Sequence, residues 1–366
     1  MNTSQHVAIP SYFLYIHPYD LQELRRDIWC DDPLPARLKV GKNQYIIDIA
    51  YRGSHIREFR KKSYNLKFVK PETFQGNREI HLNAEYIDPS MIRNKLSLDF
   101  FRDIGTLSPE TQHIFLKLNG TPAGIYLQLE SVDDLFLKRR GLPQGAIYYA
   151  INDNANFSLI SPIDDDVKKS LESGYERKCG TEEDDGYLRE LIYKINTIPR
   201  ADFGKEITKY VAVDKYLRWL IGVICTQNFD GFIHNYALYR NNETGLFEMI
   251  PWDYDATWGR DCNGKIMEYD YVPIEGYNTL TARILDVSSF RMRYKQLLEE
   301  ILETQFTVAA LEPKVISMYT ALRPFVLLDP YKQKDIRKFD TEPEFILKFV
   351  ADRNRYLREC LANLKA

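Results

Sequence analysis

Apolar residues alternate every second position in some stretches of the chain and recur every three or four in others. Pro10 to Ile16 alternates as a strand, and His17-Pro18-Tyr19-Asp20 turns into a helix. That helix is expected to have Asp20 as N-cap and Leu21, Leu24 and Ile28 on one face. Pro33 and Pro35 mark a loop; Leu38 to Val40 and Tyr45 to Tyr51 then read as a strand pair joined by Gly41-Lys42-Asn43-Gln44. Lys61 to Phe68 then reads as a strand in a basic setting. Asp88-Pro89 supplies a cap and a first-turn proline, predicting a helix to about Asp103 with Ile92, Leu96 and Phe100 on one face. Phe115 to Leu118 and Gly124 to Glu130 flank Asn119-Gly120, a strong hairpin signal, and a helix over 132–139 follows. Gly145 to Ala150 reads as a strand and Tyr187 to Asn196 as a helix. A strongly apolar helix follows through Tyr216, Leu217, Leu220, Ile221 and Ile224, with Asp214 as its expected cap. Tyr236 to Arg240 and Leu246 to Ile250 form another hairpin. From about Ser289 the period is helical, with breaks expected at Pro324, Pro330 and Pro343. There is no internal repeat and no low-complexity linker. Strands dominate the first part and helices the second, which predicts an α+β fold.

Composition narrows this little. The chain has 366 residues, 44% of them hydrophobic, enough for a large core. Its 25 tyrosines suit half-buried sheet faces. A net charge of −3 gives no global field for nucleic acid or an anionic membrane, and neither is expected as a partner. No apolar run approaches the ~18–20 residues that span a bilayer. Met1 to Gln5 lacks a basic segment followed by an apolar one, so no secretory signal is read. The five cysteines are scattered without a C-x-x-C, and reduced thiols are expected. The six histidines have no metal-ligand spacing.

The chemistry concentrates between residues 227 and 255. Asp230 follows the apolar helix, Asn235 stands five residues on, and Asp253 comes directly after the hairpin in Pro251-Trp252-Asp253-Tyr254-Asp255. Helix, Asp loop, Asn, hairpin, Asp is an order that resembles a protein-kinase catalytic centre. There the first Asp receives the substrate hydroxyl, and the Asn and second Asp hold magnesium. An amide oxygen and a carboxylate suit that ion, which keeps part of its water. The plainer alternative is that Asp230 caps a turn, Asn235 opens a strand and Trp252 is core. No G-x-G-x-x-G covers the phosphates. His234, inside the active loop, reads as a structural hydrogen-bonder.

With Tyr51-Arg52-Gly53-Ser54-His55, Lys61-Lys62-Ser63-Tyr64 and Met91-Ile92-Arg93-Asn94-Lys95-Leu96, these motifs closely resemble the spore coat protein H (CotH) family of atypical protein kinases. The resemblance runs from about Tyr12 to the C-terminus. It implies a two-lobed kinase-like fold, with a strand-rich N-lobe over 1–130 and a helical C-lobe over 131–366. It also implies an ATP- and Mg²⁺-dependent serine kinase with Asp230 as catalytic residue and Asn235 and Asp253 as metal ligands. Lys62 and Arg93 would face the phosphates, with Lys67 the second choice of lysine. Arg52 and Ser54 would cradle them in place of a glycine-rich loop. The partner of the lysine stays open: the helix after Asp88 carries no Glu, and Glu85 lies just ahead of it. Adenine would bond backbone near Leu129 to Ser131. Family likeness implies substrates among spore coat proteins with Ser-rich and Lys/Arg-rich segments. It further implies synthesis in the mother-cell cytoplasm and residence in the coat. The acidic runs Asp164-Asp165-Asp166 and Glu182-Glu183-Asp184-Asp185 are expected to dock the basic segments. Two other readings remain, a non-enzymatic assembly scaffold and a metal-dependent phosphoester hydrolase using Asp230, Asp253, Asp255 and Asp261.

Overall fold

The computed structural model describes residues 9–364; the N-terminal residues in which no secretory signal is read lie outside them. The fold is mixed α+β, as the two periodicities predict. The chain divides into two compact units. One contains residues up to Lys95, with Glu110–Ser131 and Glu312–Phe345; the other contains Leu96–Pro109, Val132–Leu311 and the residues from Ile346 on.

The first unit is built on a closed barrel of β1 (Ser11–Ile16), β2 (Leu34–Val40), β3 (Asn43–Tyr51), β4 (Tyr64–Phe68), β5 (Glu79–Asn83), β6 (Thr111–Leu118) and β7 (Thr121–Glu130). The strand order is β1-β2-β3-β4-β5-β7-β6, and a parallel β1–β6 pairing closes it. Period-two alternation fills the interior with Tyr12, Leu14, Leu38, Ile47, Leu66, Phe68, Ile80 and Leu116. The Asn119-Gly120 turn has φ of 48° and 85°, the left-handed pair that an Asn-Gly hairpin requires. Helix α1 (Pro18–Arg26) starts two residues before Asp20, because Pro18 has a preset φ and no N–H to leave unsatisfied. Asp20 sits in the first turn rather than at the cap. Likewise β2 begins at Leu34 and takes in Pro35, where a loop is expected from the sequence.

Helix α2 runs Arg93–Asp103, so Asp88 does not cap it by the usual spacing. Asp88 instead folds residues 88–93 around its carboxylate, which accepts from the Ser90 N–H at 2.8 Å and the Arg93 N–H at 3.0 Å.

The second unit holds α3 (Asp134–Arg139), β8 (Gly145–Ala150), β9 (Tyr175–Cys179), α4 (Asp184–Thr197), α5 (Phe203–Glu206), α6 (Val213–Thr226), β10 (Tyr236–Asn241), β11 (Phe247–Pro251), α7 (Thr279–Asp286) and α8 (Ser288–Glu303). Its sheet order is β11-β10-β8-β9. Asp214 makes no capping bond to α6; it pairs with Arg293 at 2.6 Å. The last helices are α9 (Val308–Val326) and α10 (Ile336–Asn363). Pro324 and Pro343 lie inside these helices rather than ending them. Buried Leu322 and Val326 in α9, and Phe339 and Ile346 in α10, hold the helical path through each proline. Their packing outweighs the roughly 3 kcal/mol that an interior proline costs.

Candidate active site

In the second unit, α6 is buried along its C-terminal half and stops at Gln227, a non-glycine residue at φ 58°. The fully buried Gln227 amide, donating to the Glu268 carbonyl at 2.9 Å, holds that turn. Asn228 accepts from the Gly231 N–H at 3.1 Å, and Asp230 opens a single 3-10 turn over Asp230–Phe232. The Asp230 carbonyl closes the turn by accepting the His234 N–H at 2.9 Å. Asp230 is therefore presented from a tight, backbone-bonded loop.

The β10–β11 ladder pairs Tyr236 with Pro251, and the Trp252 N–H donates to the Asn235 carbonyl at 3.0 Å. This places Asn235 and Asp253 together at the open end of the hairpin. Both are left-handed, at φ 59° and 60°. Asn and Asp tolerate that region better than other side chains, yet each non-glycine position there still costs on the order of 1 kcal/mol. Such positions are frequent at functional sites, although Gln75, Met91 and Phe157 share the left-handed region away from this hairpin. Trp252 packs against Tyr149 with ring centroids 4.8 Å apart and the rings tilted by 32°. Beyond Asp253, the Tyr254 carbonyl accepts from Thr257 Oγ at 2.8 Å, and the Trp258 indole donates to Ser97 Oγ at 2.9 Å.

His234 lies beside Asp230, with Nε2 4.0 Å from its carboxylate, while Nδ1 meets Asp153 at 3.1 Å. The reading of His234 as a hydrogen-bonder agrees with that geometry, and Asp153 is a neighbour sequence reasoning missed. A cavity of about 450 Å³ opens next to Asp230, lined by Asn228, Phe229, Asp261, Glu268 and Tyr271 among others. Cys262 also lines it. Burial first, and then the charges of Asp230 and Asp261, push its thiol pKa up, so it stays protonated. Asn235 and Asp253 offer one amide oxygen and one carboxylate, a donor set that fits magnesium completed by water and phosphate oxygens.

In the first unit, Arg52, Ser54 and Lys62 gather around one turn. The Arg52 N–H donates to the Ser63 carbonyl at 3.1 Å, and its guanidinium reaches Asn83. Gly53 at φ 92° is needed there: a Cβ would meet the Ile56 side chain at 2.3 Å. Ser54 is exposed and its carbonyl accepts from Arg57. The Lys62 ammonium bonds the Arg57 carbonyl. Burial lowers its pKa, with Glu58 pulling the other way. Lys67 lies on β4, directly between Asp48 of β3 and Glu79 of β5.

Arg93 does not join this group. It is fully buried, paired with Asp88 at 2.6 Å and Glu342 at 2.7 Å, and its guanidinium knots the chain together rather than facing a ligand. Burial alone would raise the Asp88 pKa; the Arg93 charge and the Ser90 and Arg93 hydrogen bonds outweigh it and hold it low.

Sequence reasoning also missed Lys61. Its ammonium is wholly buried, bonds the Ile125 carbonyl and pairs with Asp329 at 3.0 Å. Burial lowers its pKa against the pull of Asp329 and Glu85. Glu85 itself accepts from Asn94 at 3.2 Å. No spacing signal connects positions 61 and 329.

The family described as CotH kinase protein matches residues 49–357. The chain belongs to the CotH kinase family. Inner spore coat protein H of Bacillus subtilis (strain 168) is 60% identical over 356 residues, which cover 97% of this chain and 98% of that protein. An inner spore coat protein H-like protein of the same organism is 27% identical, over 83% of this chain and 87% of its own length. Invasin CotH2 of Rhizopus delemar is 22% identical, over 86% of this chain and 57% of its length. A crystal structure of the Helicobacter pylori proinflammatory kinase CtkA overlaps 82% of this chain and 93% of its own at 10% identity and a TM-score of 0.35, too loose to bear on the fold. In this CotH kinase chain, the matched stretch takes in Arg52, Ser54, Lys62, Asp230, Asn235 and Asp253.

Proposed function

We propose that the protein is an atypical, two-lobed, ATP- and magnesium-dependent protein serine kinase. Its acceptors are spore coat proteins with Ser-rich, Lys/Arg-rich segments, and it is made in the mother-cell cytoplasm and works in the coat. The observation that carries this reading is the pair of left-handed residues, Asn235 and Asp253, joined across the mouth of one hairpin with Asp230 one turn upstream. Membership of the CotH kinase family and the likeness to inner spore coat protein H support the chemistry and the location.

Bound magnesium would neutralise phosphate charge as it builds on the leaving group. Asp230 takes the serine proton as the serine oxygen bonds the γ-phosphorus and the bond to the β-phosphate oxygen breaks, releasing ADP. Asn235 and Asp253 would hold the magnesium. Lys62, Arg52 and the Ser54 turn supply positive charge and N–H donors to the phosphates. Arg93 has no part in this, since its charge is spent on Asp88 and Glu342.

Labelled ATP, magnesium and a Ser/Lys/Arg-rich peptide separate the readings. Label in the peptide marks a kinase, free phosphate alone a hydrolase, and neither a scaffold. Asp230→Asn should keep ATP binding and lose about 10²–10⁴-fold in transfer, the usual worth of a positioned base. Asp253→Asn should weaken magnesium-dependent ATP binding, and added magnesium should restore part of it. Full activity in either folded variant rules out this site.

A further inference from the structure

The outer wall of the barrel carries an acid-free block that nothing above uses. Strand register places Lys117, Phe13, Lys39 and Gln44 in one row across β6, β1, β2 and β3. The adjacent row is Tyr15, Arg37 and Ile46, and the Val69 N–H bonds the Ile46 carbonyl beyond it. Phe13, Tyr15, Ile46 and Val69 are all exposed, and the Lys117 ammonium lies over the Phe13 ring. Scattered apolar residues on a surface need no explanation, but four in two adjoining rows with three bases form a patch.

The second unit carries the complementary surface. Residues 159–168 form a ribbon: the Ser161 N–H bonds the Asp166 carbonyl, the Lys168 N–H bonds the Leu159 carbonyl, and Ile160 bridges Val167. Asp164, Asp165 and Asp166 are exposed at its tip. Beside them Ile160, Ile163 (63% exposed) and Val167 (64%) face solvent. Lys169 is the nearby opposing charge, and it lowers the Asp164 pKa together with the Ser161 hydrogen bond that leads that shift. The other acidic run differs: Asp184 accepts from the Thr181 N–H and Asp185 pairs with Arg177, so both serve their own helix start.

We propose that the 159–168 ribbon of one molecule docks on the Phe13/Tyr15/Arg37/Lys39 wall of a second copy of this chain. Three carboxylates meet three bases, and branched aliphatic side chains meet two aromatic rings, so charge and apolar surface match at once. The contact is head-to-tail, so one copy of a pair keeps its wall unused and the other its ribbon, and association continues into rings or filaments.

Sedimentation of the full-length protein up to ~100 µM at low salt should show oligomers growing with concentration, and about 0.5 M salt should dissolve them. Arg37→Glu/Lys39→Glu disables the wall, and Asp164→Lys/Asp166→Lys disables the ribbon. All four positions are exposed, and circular dichroism checks that both variants fold. Each alone should stay monomeric. Mixed at equal concentration, the intact ribbon of one variant meets the intact wall of the other, and the two reversed surfaces again carry opposite charge, so assembly should return with the two variants alternating. A monomeric parent protein, or oligomers that persist in both variants, would overturn the proposal. Loss of peptide binding with self-association unchanged would assign the ribbon to a basic partner instead.

Discussion

Three adjacent-looking lysines differ in what their charge already does. Lys61 is buried against Asp329, Lys62 sits over the turn that also holds Arg52 and Ser54, and Lys67 faces two cross-strand carboxylates. Only Lys62 is grouped with other phosphate-type donors. Lys62→Ala should therefore cost more ATP affinity than Lys67→Ala, read by titration calorimetry on folded protein. A larger loss in Lys67→Ala would move the phosphate site to the β4 face. At this scale the sequence carried the placement of Asn235 and Asp253 across one hairpin with Asp230 in the loop before it, because their order along one short segment is itself the geometry. It could not separate Arg93 from a ligand-facing arginine, because its two partners come from a cap-like loop and a distant helix.

Secondary-structure elements were legible where a periodic run met a matching stop, as at Asn119-Gly120 or along α6. They were misread where a residue had a second use. Asp88 and Asp214 look like caps, yet one nucleates a buried loop and the other an ion pair. Strand β6 shows another such use. His113 is buried, and its Nε2–H donates to the Met91 carbonyl at 2.7 Å. Burial and then Lys95 depress its pKa to about 3. The folded state thus keeps His113 neutral, while the unfolded chain takes up a proton near pH 6.5. Its contribution is whole above that pH and is lost as pH falls toward 3, at up to ~1.4 kcal/mol per unit. Urea unfolding at pH 7 and pH 5 should show that loss. His113→Gln keeps a donor without the titration and should flatten the difference; an unchanged slope would assign the acid sensitivity to other groups.

For the whole molecule, strand-rich and helical regions were readable from period alone, but the membership of the units was not. Residues 312–345 belong with the barrel, and 96–109 with the second unit. Periodicity is local, so it has no access to a contact such as Lys61–Asp329, 268 positions apart. Gly124 makes room for that contact, since a Cβ there would lie 2.2 Å from the Asp329 carboxylate, which also accepts the Ile125 N–H at 2.9 Å. Either Lys61→Met or Asp329→Leu alone leaves a buried charge and should cost about 3–5 kcal/mol. The double variant should recover much of this in chemical denaturation, because two apolar groups need no counter-charge. Additive losses would show that the two residues act separately.

That pairing also sets a schedule for the growing polypeptide. At ~5–20 residues per second, roughly 13–54 s separate the synthesis of Lys61 from that of Asp329, given their 268-position spacing. For the later part of that interval, once β7 ends at Glu130, every barrel strand is made, while the ammonium in their midst lacks the carboxylate that makes its burial tolerable. A chain cut off before position 329 lacks that carboxylate, so its first-made unit should close less firmly and proteases should meet a more open barrel.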